Sequence, residues 1–220
     1  MQPHQDQIFQ WLADYAYQPN MVYLMVFLIM IASGFGFPVP EEVTIVSVGL
    51  LAYMGAHPEI YPAPFAGAPV VNGVEAAFVT LTAVMAADIL VFFIGRVFGR
   101  KIIALPRMAP LFSESRLERI NGWVKKYGSY AVFFFRFTPG IRFPAHVILG
   151  MSKLHLWQFV LVDGLAASIS VPTQILLIYH FGEPILQLIH KFRDFILVGL
   201  AVLVVAFVVR HLFNRQKKSN

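Results

Sequence analysis

Two apolar runs in this chain stop partway across a bilayer. Met21–Ser33 breaks into Gly34-Phe35-Gly36-Phe37-Pro38-Val39-Pro40-Glu41-Glu42 before Val43–Met54 resumes the apolar pattern. Ser129–Phe135 ends in Arg136-Phe137-Thr138-Pro139-Gly140-Ile141-Arg142-Phe143-Pro144. A span needs about 20 apolar residues to cross a hydrocarbon core of roughly 30 Å, and at the rise of an α-helix the two leading runs reach only about 20 Å and about 10 Å. Prolines and glycines at each break oppose a continuous helix. Non-helical backbone at membrane depth survives only where protein buries it or water lines it. Two re-entrant helical hairpins, 21–54 and 129–153, satisfy these conditions. Their tips, Pro38 and Pro40 in one and Pro139, Gly140 and Pro144 in the other, are expected to meet inside.

The composition fits lipid as the solvent. Hydrophobic residues are 58% of the 220 and charged residues 13%, against roughly 45–50% and about 25% in soluble domains. That excludes a disordered chain, a coiled coil and an ordinary water-soluble globule. With no cysteine there is no disulfide framework, thiolate metal site or Cys nucleophile. Ala76–Gly95 and Trp157–Tyr179 are long enough to span and carry Asp88 and Asp163; Phe195–Val209 is an uncharged third stretch. The expected fold is an all-α polytopic membrane protein, one membrane domain over 1–220. It has an inverted repeat with two re-entrant helical hairpins and about three full transmembrane helices, at 76–98, 157–179 and 195–213.

Charge orients the chain. Residues 1–95 hold seven acids and no Lys or Arg, while all 17 basic residues and five acids lie from Arg96 onward. The basic residues flank apolar spans, as the positive-inside rule requires, so the basic excess does not point to nucleic acid. Arg96 to Lys126 and the tail after Val209 belong in the cytoplasm, and the N-terminus outside. The first hairpin then enters from outside and the second from the cytoplasm. Their spacing agrees: Pro38 to Gly49 and Pro139 to Gly150 are both 11 residues apart, and in that register Glu41 takes the position of Arg142. Opposed repeats of this kind hold the substrate sites of many secondary transporters at the midplane.

Between the spans, Ser115-Arg-Leu-Glu118 has a capping-box pattern. It predicts a basic amphipathic cytoplasmic helix over 113–127, with Leu117, Ile120, Val124 and Tyr127 on one face. Such a helix lies in the membrane interface and braces the second hairpin or touches anionic lipid.

Arg136 and Arg142 are the strongest chemical signal. A charge near mid-depth costs at least about 2.5–3.5 kcal/mol on insertion scales, so each must face partners or water. Arg stays protonated and its planar fork matches phosphate. Two of them around a Pro-Gly turn either clamp one anion or lock onto acids. Glu41, Glu42 and Asp88 are the acidic counterpart, for proton coupling or charge pairing. Asp88 shares a face with Phe92, Gly95 and Gly99, and the two glycines form a small-xxx-small pair suited to close helix approach. Asp163 lies toward the cytoplasmic end of its span, where an interfacial position is expected, and His146 is expected to hydrogen-bond in the pocket. The histidines have no metal-ligand spacing, and there is no P-loop, G-x-S-x-G, H-E-x-x-H or EF-hand pattern. Neither an enzyme, a metal nor a cofactor is expected.

At these residues the chain resembles the DedA family, the SNARE-associated or VTT-domain superfamily. Phe37-Pro-Val-Pro-Glu-Glu42 is similar to the family's Pro-Gly-Glu/Asp tip, with Glu42 as the equivalent acid. Asp88 with Gly95-Arg96-x-x-Gly99 resembles its Gly/Asp stretch, and Phe135-Arg-Phe-Thr-Pro-Gly-Ile-Arg142-x-x-Pro-Ala its paired arginines. The chain departs at Ala87, where Gly is usual, and at Ser33, in a region where many bacterial members carry a further acid. The resemblance implies lipid handling: recycling of undecaprenyl phosphate or movement of phospholipids across the bacterial cytoplasmic membrane, and lipid scrambling in eukaryotic relatives. The expectation is a flippase for an anionic lipid, with Arg136 and Arg142 receiving the phosphate while the tail stays in lipid. Membrane lipids are then the partners, protons a candidate second partner, and a homo-oligomer is left open. The alternative is a proton-coupled transporter of ions or small solutes using the same residues.

Overall fold

The structure is a computed structural model that describes residues 12–34, 41–106, 112–138 and 141–187. Pro38, Pro40, Pro139, Gly140 and the span expected at 195–213 lie outside the described residues. Those described are all helical or loop, with no strand. The helices are α1 (Pro19–Gly34), α2 (Glu41–Ala56), α3 (Gly73–Ile103), α4 (Glu114–Tyr127), α5 (Ala131–Arg136), α6 (Arg142–Met151) and α7 (Leu156–His180). A 3-10 turn at Gly128–Tyr130 joins α4 to α5. The described residues up to His180 form one compact unit, and those at 181–187 belong to a second, with 182–187 helical.

Helices α3 and α7 are long and apolar enough to cross a membrane. At 31 and 25 residues they extend about 46 Å and about 37 Å. Neither α1 nor α2, at 16 residues each, reaches more than about 24 Å. Helices α5 and α6 are shorter still, with 6 and 10 residues. Apolar length thus separates two helices long enough to span from two broken segments.

Local chemistry sets the boundaries. Asn72 caps α3: its Oδ1 accepts from the backbone N–H of Val74 at 2.8 Å and of Glu75 at 3.2 Å, a standard N-cap geometry. Tyr23 on α1 ties into the same cap, its hydroxyl accepting from Asn72 N–H at 3.0 Å and donating to Glu75 Oε2 at 3.1 Å. Helix α4 begins two residues earlier than a capping box at Ser115 implies. The backbone ladder starts at the Ser113 carbonyl, which accepts from Arg116 at 2.9 Å and Leu117 at 3.0 Å. Ser113 is therefore the cap residue, without a side-chain cap bond. Pro144 sits in the first turn of α6, where its missing N–H leaves no intrahelical bond unmade.

Two apolar cores stack along α3 and α7. One joins Val22, Val26 and Met30 of α1 and Ile45 and Val48 of α2 to Val84 of α3 and to Val171 and Ile175 of α7. The other joins Val91 and Phe92 of α3, Ile120 of α4, Phe135 of α5, Val147 and Leu149 of α6 and Phe159 of α7. Asp88 falls between the cores on α3, and Asp163 and Ser170 fall between them on α7.

Backbones approach closely where glycine allows. A Cβ on Gly95 would overlap the backbone of Val147, and one on Gly150 would overlap the Phe92 carbonyl, so α3 and α6 meet backbone to backbone. Arg96 fastens the same crossing. Its Nε donates to the Gly150 carbonyl and its Nη2 to the Leu154 carbonyl at 2.5 Å, with the guanidinium 5.2 Å from the Phe92 ring centre.

Candidate functional site

Asp88 is the hub of a buried charge cluster. Its Oδ2 accepts from Arg136 Nη1 at 3.2 Å and Arg142 Nη2 at 2.5 Å, and its Oδ1 lies 3.2 Å from His146 Nδ1. Arg136 Nη1 also donates to Asp163 Oδ1 at 2.8 Å, and its Nε donates to Ser170 Oγ at 3.2 Å. Glu41 pairs with Arg142 through Oε2 and lies 3.8 Å from Arg136 Nη2 through Oε1. The Arg136, Asp88 and Asp163 side chains are at most 4% exposed, against 22% for Arg142 and 17% for Glu41.

Each element places its group by simple rules. Asp88 is midway along α3 and turns inward with Phe92 and Gly95. Arg136 ends α5 and Arg142 begins α6, so the break between the two helices puts both cations at one place. Glu41 begins α2 and approaches from across the cavity. Asp163 and Ser170 are seven residues apart on one face of α7. The cluster opens into a cavity of about 420 Å³, lined also by Met30, Ser33, Glu42, Thr138, Phe143 and Gln174.

The expected site residues with described side chains converge here: Arg136, Arg142, Glu41, Asp88 and Pro144 all line this cavity, as does Glu42, which makes no described ion pair. Asp163 corrects an expectation. It is not interfacial but fully buried against Arg136. Depth counted from the end of a span fails there, because a buried cation draws the acid inward. Ser170 and Gln174 carried no expectation. A signal was available: of the polar residues in this span, those at 163, 170 and 174 fall on one helical face.

Two properties define what this arrangement can do. Two guanidinium groups face three paired carboxylates, with Glu42 on the same cavity, so acids outnumber bases. In addition, buried polar atoms of the cluster have no hydrogen-bond partner among the described residues: Arg136 Nη2, Arg142 Nε, His146 Nε2 and Asp163 Oδ2. Unmade buried bonds cost about 1–3 kcal/mol each and in native proteins usually mark water, ions or function. The donors left over belong to the two arginines, which are the groups suited to an oxyanion.

A helical chain with two helices long and apolar enough to cross a membrane and a buried arginine–carboxylate cluster between two apolar cores has the make-up of a membrane protein. The VTT domain family model matches residues 39–181, and the chain belongs to this family, the DedA-type membrane proteins. It is 33% identical over 156 residues to an uncharacterized membrane protein of Haemophilus influenzae, covering 70% of this chain and 68% of that one. It is 29% identical over 93 residues to undecaprenyl phosphate transporter A of Bacillus subtilis, covering 42% of this chain and 46% of the relative. Protein DedA of Escherichia coli is 25% identical over 135 residues, 60% of each chain. No solved structure matches.

Proposed function

We propose that this membrane protein moves an anionic lipid, undecaprenyl phosphate or a phospholipid, between leaflets without enzymatic chemistry. The observation that carries the reading is the buried pair Arg136–Arg142, opening on a cavity with guanidinium nitrogens that have no hydrogen-bond partner among the described residues. The phosphate displaces carboxylates from the arginines. Its arrival at Arg142 also meets the N-terminus of α6, whose partial positive end favours an anion. A proton taken up by one of the surplus acids, Glu41, Glu42 or Asp88, offsets the charge released and couples the step to the proton gradient.

In this reading α1–α2 and α5–α6 are re-entrant hairpins of an inverted repeat in a bacterial cytoplasmic membrane, with the N-terminus outside and the C-terminus inside. Two parallels support the repeat. A Cβ on Gly49 of α2 would overlap Ile178 of α7, and one on Gly150 of α6 would overlap α3 at Phe92, so each return helix presses a glycine on a spanning helix. Glu41 and Arg142, aligned by the repeat, each open such a return helix. The excess of acids over bases favours a second reading, proton-coupled transport of an ion or small solute.

Liposome reconstitution separates the two. Sidedness of undecaprenyl phosphate and of a phospholipid is followed for wild type beside Arg142→Ala. Accelerated crossing that the variant loses is the expected result. No crossing of either lipid by folded protein at several pH values overturns the lipid reading in favour of a solute.

A further inference from the structure

His146 lies inside the charge cluster, only 1% exposed, in the second turn of α6. Charges act on it from each helix around it. Asp88 of α3 places Oδ1 3.2 Å from Nδ1, and Arg136 of α5, Asp163 of α7 and Arg142 of α6 itself act on the ring through space. Glu41 of α2 reaches the cluster through Arg142. Phe159 of α7 packs against the imidazole nearly at right angles, with 5.1 Å between ring centres.

The neighbours decide which nitrogen is basic. An ionised carboxylate only accepts hydrogen bonds, so with Asp88 Oδ1 beside Nδ1 the ring hydrogen belongs on Nδ1 and the lone pair on Nε2. Nε2 is buried and has no hydrogen-bond partner among the described residues. One other proton acceptor of the cluster shares that condition, Asp163 Oδ2. The remaining carboxylate oxygens of Asp88, Asp163 and Glu41 each face a guanidinium or the imidazole. Of the two open acceptors, His146 lines the charged cavity and Asp163 does not. Glu42 lines it as well but is exposed, where water already solvates its charge. A proton that enters through the cavity therefore meets His146.

Charge balance gives that proton a reason to bind. With a neutral imidazole, two guanidinium groups stand against three paired carboxylates. An anion entering beside the arginines adds to the negative excess, in a site where burial strengthens every charge interaction. Before it arrives, Arg136 and Arg142 repel a third cation. Once the anion takes up their charge that repulsion falls, while Asp88 and Asp163 continue to attract. Anion and proton then bind together.

We propose that His146 is the proton acceptor of this site: an oxyanion that engages Arg136 and Arg142 is bound together with a proton drawn from water onto Nε2, leaving an imidazolium beside Asp88. The inference rests on the anion-site reading above and moves the proton from Glu41, Glu42 or Asp88 to His146. The proton is held more firmly when the anion is bound, so a fall in pH tightens anion binding, and one linked proton changes affinity by at most about tenfold per pH unit.

The test is calorimetric titration of the purified protein in two buffers of different ionisation enthalpy. Sulfate is the probe for a free oxyanion and glycerophosphoglycerol the probe for a lipid headgroup without its tails; neither titrates near neutral pH. Wild type is expected to take up a proton for each anion bound, and to bind at least tenfold more tightly at about pH 6 than at about pH 8. The tighter-bound probe tells which source of anion the site prefers, and uptake with either supports the proposal. His146→Asn keeps an N–H donor for Asp88 but cannot take a proton. It is expected to show at least fivefold less proton uptake, and an affinity that changes less than twofold over the same range. Anion binding by wild type without proton uptake overturns the proposal and leaves the anion site standing, as does undiminished uptake in His146→Asn. Failure of folded wild type to bind either probe overturns the anion site and the proposal with it. Nitrogen NMR of wild type carrying isotope-labelled histidine decides the matter even if the variant fails to fold. One solvent-shielded imidazole is expected to pass from neutral, with hydrogen on Nδ1, to doubly protonated when the better-bound probe is added. Imidazole signals that keep their protonation state overturn the proposal.

Discussion

Glu41 and Arg142 are the first residues of α2 and α6, and their side chains pair across the cavity. The two ends are not equivalent. An acid in the first turn of a helix is stabilised by the macrodipole and a cation there is opposed, so Arg142 stands at an unfavourable end and depends on Glu41 and Asp88 for compensation. In the proposed transport step an incoming anion would substitute for Glu41 and satisfy both the guanidinium and the helix end.

That asymmetry makes charge reversal informative. Glu41→Arg with Arg142→Glu restores the pair and should regain at least half of the stability that Arg142→Glu alone loses, read by SDS-induced unfolding in mixed micelles. Lipid crossing should stay lost, because an anion would then face a carboxylate at the start of α6. Full recovery of crossing would show the pair to be only a lock.

Asp88 has a different role, since both arginines and His146 share its two oxygens. Removing one partner from a buried ion pair costs about 3–5 kcal/mol. Asp88→Asn should lose stability of that order, and Glu42→Gln, at a residue with no described ion pair, less than about 1 kcal/mol. Comparable losses in the two variants would contradict the hub geometry.

What could be read from sequence divides along the range of the forces. Helices α3 and α7 were legible because apolar length is a local property, and Arg136 and Arg142 because a charge inside an apolar run is costly wherever it folds. The choice of Glu41 over Glu42 as the partner of Arg142 was not legible. Consecutive residues of a helix point about 100° apart, and only the placement of α2 decides which one faces the cation. Asp163 was misplaced for a similar reason, since its partner Arg136 is 27 residues away in the chain. The small-xxx-small pair was read correctly as a close approach, but its partners, Val147 and Met151 of α6, come from tertiary structure.

Arg96 illustrates a residue whose sequence signal pointed elsewhere. The positive-inside rule reads its charge as an orientation signal, yet its guanidinium bridges the carbonyls of Gly150 and Leu154 at and just beyond the end of α6. Lysine cannot reproduce a planar two-point bridge, and a hydrogen bond to a charged group is worth about 1.5–3 kcal/mol. Arg96→Lys should therefore lose about 1–3 kcal/mol in the same unfolding assay while keeping its topology. A loss below about 0.5 kcal/mol would assign Arg96 to orientation alone.

Two glycines predict opposite signs for one substitution. Gly95 faces the Val147 backbone, which cannot swing aside as a flexible side chain can, so Gly95→Ala forces α6 away from α3 and overpacking of this kind costs typically about 1–3 kcal/mol. The displacement also moves Arg142 and His146, which ride on α6, relative to Asp88 on α3. Lipid crossing should consequently fall more than stability alone explains, a difference seen by measuring flux at a temperature where the variant is still fully folded. Gly122 lies inside α4 with no atom within 4 Å of an added Cβ. There Ala relieves only the entropic cost of glycine in a helix, and Gly122→Ala should stabilise by about 0.5–1 kcal/mol with unchanged flux. Tolerance of Ala at Gly95 would contradict the α3–α6 contact that sets Arg142 and His146 against Asp88, and destabilisation at Gly122 would contradict the open space beside α4.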